Sequence, residues 1–307
     1  MMQKKALVIV NQHTARPKLR SDLLDILDTI TKGGYDCLVR PTQSAGDAER
    51  FVAGRDAGDD LVVCIGGDGT LNEVVAGLCA LPEDKRPPVG YIPAGTTNDF
   101  AASIGLPSDP GEAAKFMMSA RARRMDCGRL DGHVFNYVAS FGAFTEVSYG
   151  TPQPLKNMLG HLAYVLEGVM RFGDIRPTRL RFETSDGVVI EDEFIFGAFA
   201  NTLSIGGVIK LDPTEVDFCD GLHEYLLVRT PKNPVEFHEA AQEIIKLQNP
   251  EQPREAKFVS FGSFSRGTIT TDEKKLAWSL DGECCETSGK AVIENLHAAY
   301  SLLADGK

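Results

Sequence analysis

The sequence has no apolar run near the ~18 residues that a membrane-crossing helix needs. Its longest candidates, Leu61–Ile65 and Phe194–Ala200, are strand-sized. The start, Met1 to Lys5, leads straight into a short apolar strand with no signal-peptide core, so a cytosolic protein is expected. Positive charge is scarce. Against 43 acidic residues stand 32 basic ones, a formal net charge of −11, which excludes a general nucleic-acid binder because phosphate backbones need compensating Lys and Arg. The same balance disfavours strong adsorption to anionic lipid. The seven cysteines show no C-x-x-C spacing and the six histidines no metal spacing, so no zinc site is expected. Such a scattered, odd set suits reduced thiols. Adjacent Cys284 and Cys285 read most simply as strand residues facing opposite ways, and Cys64 as core filler. Repeats and low-complexity tracts are also missing.

What remains is an ordinary globular mixture, 43% hydrophobic and 24% charged over 307 residues, a length that suits two domains. The first third alternates strand and helix patterns. Strands are predicted at Ala6–Val10, Tyr35–Arg40, Leu61–Ile65 and Val89–Ile92. Helices are predicted around Leu23–Ile30, stopped by Gly33-Gly34, and over Asp47–Ala57 and Thr70–Leu81. Short apolar strands separated by helices imply a parallel sheet covered on both faces. Beyond a helix at Pro154–Phe172, strands follow one another at Arg179–Thr184, Val188–Asn201, Tyr225–Arg229, Phe258–Phe264, Thr268–Thr271 and Leu276–Leu280, with one helix at Pro234–Gln248. Turn-linked strands of this kind make antiparallel sheets, expected as a sandwich. The fold class is therefore α/β: an N-terminal parallel-sheet domain over 1–127 and a C-terminal antiparallel β-sandwich over 128–292. A last helix over 293–304 is expected to pack back on the first domain.

The strongest chemical signal is Gly66-Gly67-Asp68-Gly69-Thr70, after one predicted strand and before a helix. Three glycines in four residues permit positive φ and converging amides, and the helix adds its free N–H groups and positive dipole end. Together they form an anion cradle suited to nucleotide phosphates. The competing reading is a plain strand-to-helix turn capped by Asp68 or Thr70. Asp68 cannot hold a bare phosphate; it serves either a Mg²⁺–nucleotide or the loop amides. No Gly-Lys-Ser/Thr follows, so this is not a Walker A loop, and the spacing is not the dinucleotide fingerprint. A second loop, Pro93–Phe100, follows the next strand. There Gly95 permits close approach, and Thr96 and Asn98 offer neutral donors, with a helix cap as the competing reading. Asn11 and Thr42 end the first two strands at the same sheet edge.

These stretches, Gly66–Val74 (G-G-D-G-T-L-N-E-V) and Gly95–Ala101 (G-T-T-N-D-F-A), resemble the diacylglycerol kinase catalytic family. The resemblance runs on through Asp126–Arg129, Lys156–Tyr164, Asn201, Gly206-Gly207, Asp220–Leu222 and Leu280–Glu283, in the family's order. It implies a nucleotide-binding α/β domain, a lipid-binding β-sandwich, and ATP-dependent, Mg²⁺-dependent phosphorylation of a lipid hydroxyl at a transiently contacted membrane. It also implies that Gly66, Gly67, Asp68, Gly69, Thr70, Leu71, Asn72, Thr96 and Thr42 contact ATP, with Asn11, Gly95 and Asn98 on the same rim. Asp281 and Glu283 fall at the catalytic position, beside Asp68. Asp220 and the carbonyls of Asp217 and Leu222 would hold a structural Mg²⁺, through oxygen donors that suit it.

Asp281-Gly282-Glu283 brings two carboxylates within three residues. If the stretch is extended, both share a face and enter one cleft, where either could take the proton of an attacking hydroxyl. The local alternative is an Asp-Gly β-turn with a solvated Glu. Arg121, Arg123 and Arg124 read as a solvated helix end, and Lys156 as an exposed helix lysine, an acid's partner or a phosphate contact. Two other functions stay open: a soluble-metabolite kinase of the NAD kinase type, and a non-catalytic lipid- or nucleotide-binding regulator. Unpaired strand edges leave a homodimer open.

Overall fold

The protein's structure, a computed structural model, describes residues 3–12, 17–55, 58–142, 177–205, 209–247 and 256–304. The predicted helix at Pro154–Phe172 with Lys156, the Gly206-Gly207 pair and the stretch His13–Ala15 lie outside the described residues. Contacts divide the chain into two compact units, residues 1–127 with 297–307, and residues 128–296. No described helix is long and apolar enough to cross a membrane.

In the first unit, β1 (Lys4–Asn11) pairs in parallel with β2 (Tyr35–Thr42) and β3 (Leu61–Gly66), and β3 pairs in parallel with β4 (Val89–Pro93). The strands are short, and Leu61–Gly66 and Val89–Pro93 are buried along their whole length, as a sheet covered on both faces requires. Alternation sends Ala6, Val8, Val10, Leu61, Val63 and Ile65 to one face. There they pack with Leu19, Ile26 and Ile30 of α1 (Pro17–Lys32) and Ala113, Ala114 and Met117 of α5 (Pro110–Ser119). Each fully buried aliphatic side chain contributes about 1.5–3 kcal/mol. The Asp109 carboxylate starts α5 by accepting from the amides of Gly111 and Glu112, with Pro110 at the first helical position. The remaining helices of this unit are α2 (Asp47–Ala53), α3 (Asp68–Cys79) and α4 (Asp99–Ser103).

Among the described residues of the second unit the strands pair antiparallel. Its strands are β6 (His133–Phe135), β7 (Val138–Gly142), β8 (Thr178–Thr184), β9 (Val189–Ala200), β10 (Ser204–Ile205), β11 (Ile209–Lys210), β12 (His223–Arg229), β13 (Val259–Phe264) and β14 (Arg266–Leu280), and part of β15 (Glu283–Ala304) joins them. A helix, α6 (Pro234–Lys246), starts at an Asn233 cap. The expected sandwich is realised as one hydrogen-bonded sheet, with β10–β11 a separate ribbon. Long β9 and β14 each pair with β7 over one part of their length and with β8 over another, which leaves no break into two sheets. The sheet encloses an aromatic core in which Phe182 meets Phe199, Tyr225 and Phe264 edge-on at 5.0–5.4 Å.

Two expectations are corrected here. The chain over 293–304 is not a helix but the end of β15, which pairs with β14 as far as Glu294 and places Leu302 beside Val89 in parallel register with β4. Tyr300, Leu302 and Ala304 are buried on alternate positions, and Ala298 at φ 49° marks an irregularity that Asp126 braces by accepting the Ala298 amide at 2.6 Å. Available strand partners thus override a helix-compatible composition. Likewise, Arg121, Arg123 and Arg124 do not end a helix. They begin β5 (Arg121–Leu130), and Arg124 donates to the Glu83 carboxylate at 2.6 Å and to the Ala298 carbonyl. The chain passes from the first unit to the second within β5 and returns within β15.

Candidate functional site

The first glycine loop is shorter than predicted. β3 ends at Gly66, Gly67 is the cap residue, and α3 begins at Asp68. None of Gly66, Gly67 and Gly69 takes a positive φ, contrary to expectation. Gly67 is extended, at φ −91° and ψ −174°. The glycines are required instead by close approach. A Cβ on Gly95 would lie 2.6 Å from the Gly67 Cα, and one on Gly66 would lie 2.7 Å from the Thr70 side chain. The Ala94 amide donates to the Gly66 carbonyl at 2.8 Å, so the two loops touch backbone to backbone.

No side chain caps α3. The first helical bond is from the Leu71 amide to the Gly67 carbonyl, 3.1 Å, so the amides of Asp68, Gly69 and Thr70 precede the ladder as first-turn donors. The Thr70 hydroxyl, buried, accepts from Asn11 Nδ2 at 2.8 Å. Asn11 stands beside buried Thr42 in the β1–β2 register. These residues make a neutral, donor-rich end to the sheet, where the dipole of a twelve-residue helix favours an anion. Leu71 is core, and the buried Asn72 Oδ1 has no partner among the described residues.

The acidic residues of the motif face the protein. Asp68 Oδ2 accepts the Asp99 amide at 2.9 Å, and Oδ1 lies 3.3 Å from the Tyr91 hydroxyl. Burial raises the Asp68 carboxyl above the ordinary range, while the α4 amides and Tyr91 pull the other way. Asp99 is pushed up to about 6 by burial and by the Asp68 charge. Glu73 straddles the start of α2: Oε1 accepts the Gly46 amide at 2.8 Å and Oε2 the Ala48 amide at 3.0 Å. It thereby replaces the side-chain cap that Gly46 cannot supply. Sequence reasoning assigned Glu73 no role. Asp47, held well below the carboxylate range by Arg50 and the Gln43 amide, closes the same loop. Asn98 sits at φ 54° and spends its carboxamide on the amide and carbonyl of Gly95 (2.9 and 3.1 Å), rather than presenting it outward as the sequence suggested. Thr96 is exposed.

In the second unit Asp281 and Gly282, at φ 50° and 94°, form the two-residue turn that joins β14 to β15, with Leu280 opposite Glu283. The stretch is therefore not extended, and the two carboxylates do not share a strand face. The Asp281 carboxylate is buried and accepts the amides of Asn136, Tyr137 and Val138 at 2.5, 3.0 and 2.9 Å, whereas Glu283 is exposed. Asp217 and Asp220, exposed, lie on one turn. Asp217 Oδ1 accepts the Cys219 amide and Asp220 Oδ1 the Leu222 amide, while the Leu222 carbonyl accepts from Asn295. The donors are hard oxygens of the kind Mg²⁺ takes; of the expected ligand atoms, Asp220 Oδ1 and the Leu222 carbonyl already accept hydrogen bonds.

An uncapped helix start set against a second glycine turn, at the end of a parallel sheet, places the first unit among α/β domains. Comparison with known proteins narrows the class. The pattern of the diacylglycerol kinase catalytic domain matches residues 5–130. The chain is 34% identical to the diacylglycerol kinase of Bacillus subtilis (strain 168), over 91% of this chain and 90% of that one. It is also 34% identical to a probable lipid kinase, YegS-like, of Chromohalobacter salexigens, over 91% and 86%. A solved chain from Bacillus anthracis str. Sterne superposes with a TM-score of 0.78 at 25% identity, covering 99% of this chain and 98% of that one. The chain belongs to the diacylglycerol kinase catalytic family, and it is a kinase.

Proposed function

We propose that the chain transfers the γ-phosphoryl group of ATP, with Mg²⁺, to the hydroxyl of a lipid, with diacylglycerol the acceptor indicated by the names of its relatives. One observation carries this reading: the uncapped first turn of α3 lies directly against the Gly95 turn, so that amides rather than side chains are offered to an anion. The amides of Asp68, Gly69 and Thr70 take phosphate oxygens, and Asn11 and Thr70 line the rim with Thr42. Mg²⁺ would supply charge neutralisation of the transferring phosphates. Asp68 acts as a positioning residue by tying the first loop to the second.

Transfer forms a bond from the lipid oxygen to the γ-phosphorus and breaks the bond to ADP, while the hydroxyl proton goes to a carboxylate. A loose transition state asks little basicity of that carboxylate and much of its alignment. Asp281 is engaged by three amides, and Glu283 is the exposed member of the pair; this supports Glu283 as proton acceptor and Asp281 as the residue that fixes the turn. Asp220 and the carbonyls of Asp217 and Leu222 are the proposed structural Mg²⁺ ligands, supported by their donor chemistry. Because diacylglycerol stays in a bilayer, the enzyme works in transient contact with a membrane surface.

The test is phosphorylation of diacylglycerol in mixed micelles by labelled ATP and Mg²⁺. Labelled phosphatidate is expected, and Glu283→Gln lowers kcat by roughly 10²–10⁴ with the KM for ATP kept. Label in NAD, or bound nucleotide with no labelled lipid, overturns the reading in favour of a soluble-metabolite kinase or a regulator. Unchanged kcat in Glu283→Gln removes Glu283 from the mechanism.

A further inference from the structure

We propose that Cys79 and Cys127 form an oxidative modification site, where a peroxide-class oxidant closes an intrachain disulfide within the first unit. The two Sγ atoms are 3.6 Å apart, in contact, although the residues lie 48 positions apart in sequence. Cys79 is the last residue of α3 and is half-buried, while Cys127 is buried on β5. A bonded pair stands about 2.05 Å apart, so closure needs an approach of roughly 1.5 Å. Arg86 holds this corner. Its guanidinium donates to the carbonyls of Cys79 (3.3 Å), Leu81 (3.0 Å) and Ala299 (2.6 Å), which clamps the helix end.

The half-buried Cys79 reacts first. Its sulfur attacks the peroxide, the O–O bond breaks, and a sulfenic acid and one water result. The Cys127 sulfur then attacks the Cys79 sulfur; the S–S bond forms, the S–O bond breaks, and the hydroxyl leaves with the thiol proton as a second water. Two thiols lose two electrons and one peroxide gains them. The other five cysteines differ: burial pushes the Cys37 and Cys64 thiols up, Cys219 belongs to the second unit, and exposed Cys284 is followed on the same strand by Cys285, which packs against the core. The closed loop, residues 79–127, contains β4 and the Gly95 turn, and it tethers α3 to the strand through which the chain leaves the unit. Oxidation therefore stiffens the frame of both glycine loops without touching them.

The full chain is treated with hydrogen peroxide, its remaining thiols are alkylated, and the digest is mapped by mass spectrometry. A linked Cys79–Cys127 peptide, two hydrogens lighter than the sum of its parts, is expected, with a higher Tm that dithiothreitol reverses. Cys79→Ser, at the half-buried position, abolishes the linked peptide and the Tm rise. The proposal is overturned if Cys79 and Cys127 are both alkylated after oxidation, if Cys79 is linked to another cysteine, or if Cys79→Ser retains the Tm rise. The readout is a covalent bond, so it stands or falls independently of which substrate the kinase uses.

Discussion

Gly95→Ala isolates the contact on which the proposed phosphate cradle depends. The new Cβ would stand 2.6 Å from the Gly67 Cα and 2.8 Å from Asn98 Oδ1, against an ordinary lower limit near 3.4 Å. The loops must part by about 0.8 Å, the difference between those two values, and the obstacle is backbone rather than a flexible side-chain end. Overpacking of this kind costs about 1–3 kcal/mol. If it is relieved by separating the loops, nucleotide affinity falls by roughly 5- to 150-fold, since ~1.4 kcal/mol is a factor of ten. Gly67→Ala, whose Cβ meets the Gly95 Cα at 3.2 Å, should cost distinctly less. Equilibrium ATP binding and Tm for the two variants check this. Gly95→Ala binding within twofold of the parent, or Gly67→Ala proving the worse, would refute the close-approach argument.

Three further outcomes follow from the carboxylates. Asp99 titrates near 6, above the usual value of ~3.9, so its contribution to stability is complete below about pH 4 and is lost as pH rises through about 6. Asp68→Asn removes the neighbouring charge, moves that titration down and flattens this part of the Tm–pH curve; an unchanged curve would show that the two acids are not coupled. Glu73→Ala strips both acceptors from the start of α2 and should cost about 1–3 kcal/mol, seen as a Tm lower by several degrees, together with a raised KM for ATP through the Thr42–Gly46 loop. Asp281→Asn keeps a residue tolerant of positive φ but turns an amide toward backbone donors, so it should lose about 1–3 kcal/mol in a denaturant titration.

Most of the parallel half of the fold was legible because β1, β3 and β4 are built on short apolar runs bounded by turn residues. Lys4–Asn11, Leu61–Gly66 and Val89–Pro93 contain those runs and extend them by one to three residues. The two misread segments share a different property. Arg121–Leu130 and the final part of Glu283–Ala304 have no strand signature of their own, and their conformation is fixed by partners remote in sequence, Asp131 with Val292 and Leu302 with Val89. Local propensity could not locate a structure determined by remote hydrogen bonds. In the same way, the thiols of Cys79 and Cys127 carry no spacing signal.

The site was legible in its glycines and opaque in its acids, for one physical reason. A glycine forced by close approach and a glycine used for positive φ look alike in sequence, but both announce that backbone is near. A carboxylate announces nothing of its partner. Asp131-Gly132 and Asp281-Gly282 are the same dipeptide with the same signs of φ, yet the first aspartate is exposed and the second is buried against three amides some 143–145 residues away. Asp68 and Glu73 follow the second pattern, serving the starts of α4 and α2. The acids of the motif thus serve the starts of two neighbouring helices, while the start of α3, the helix that carries them, has no side-chain cap. On the proposed reading these carboxylates are engaged by backbone amides rather than set against a phosphate at that start.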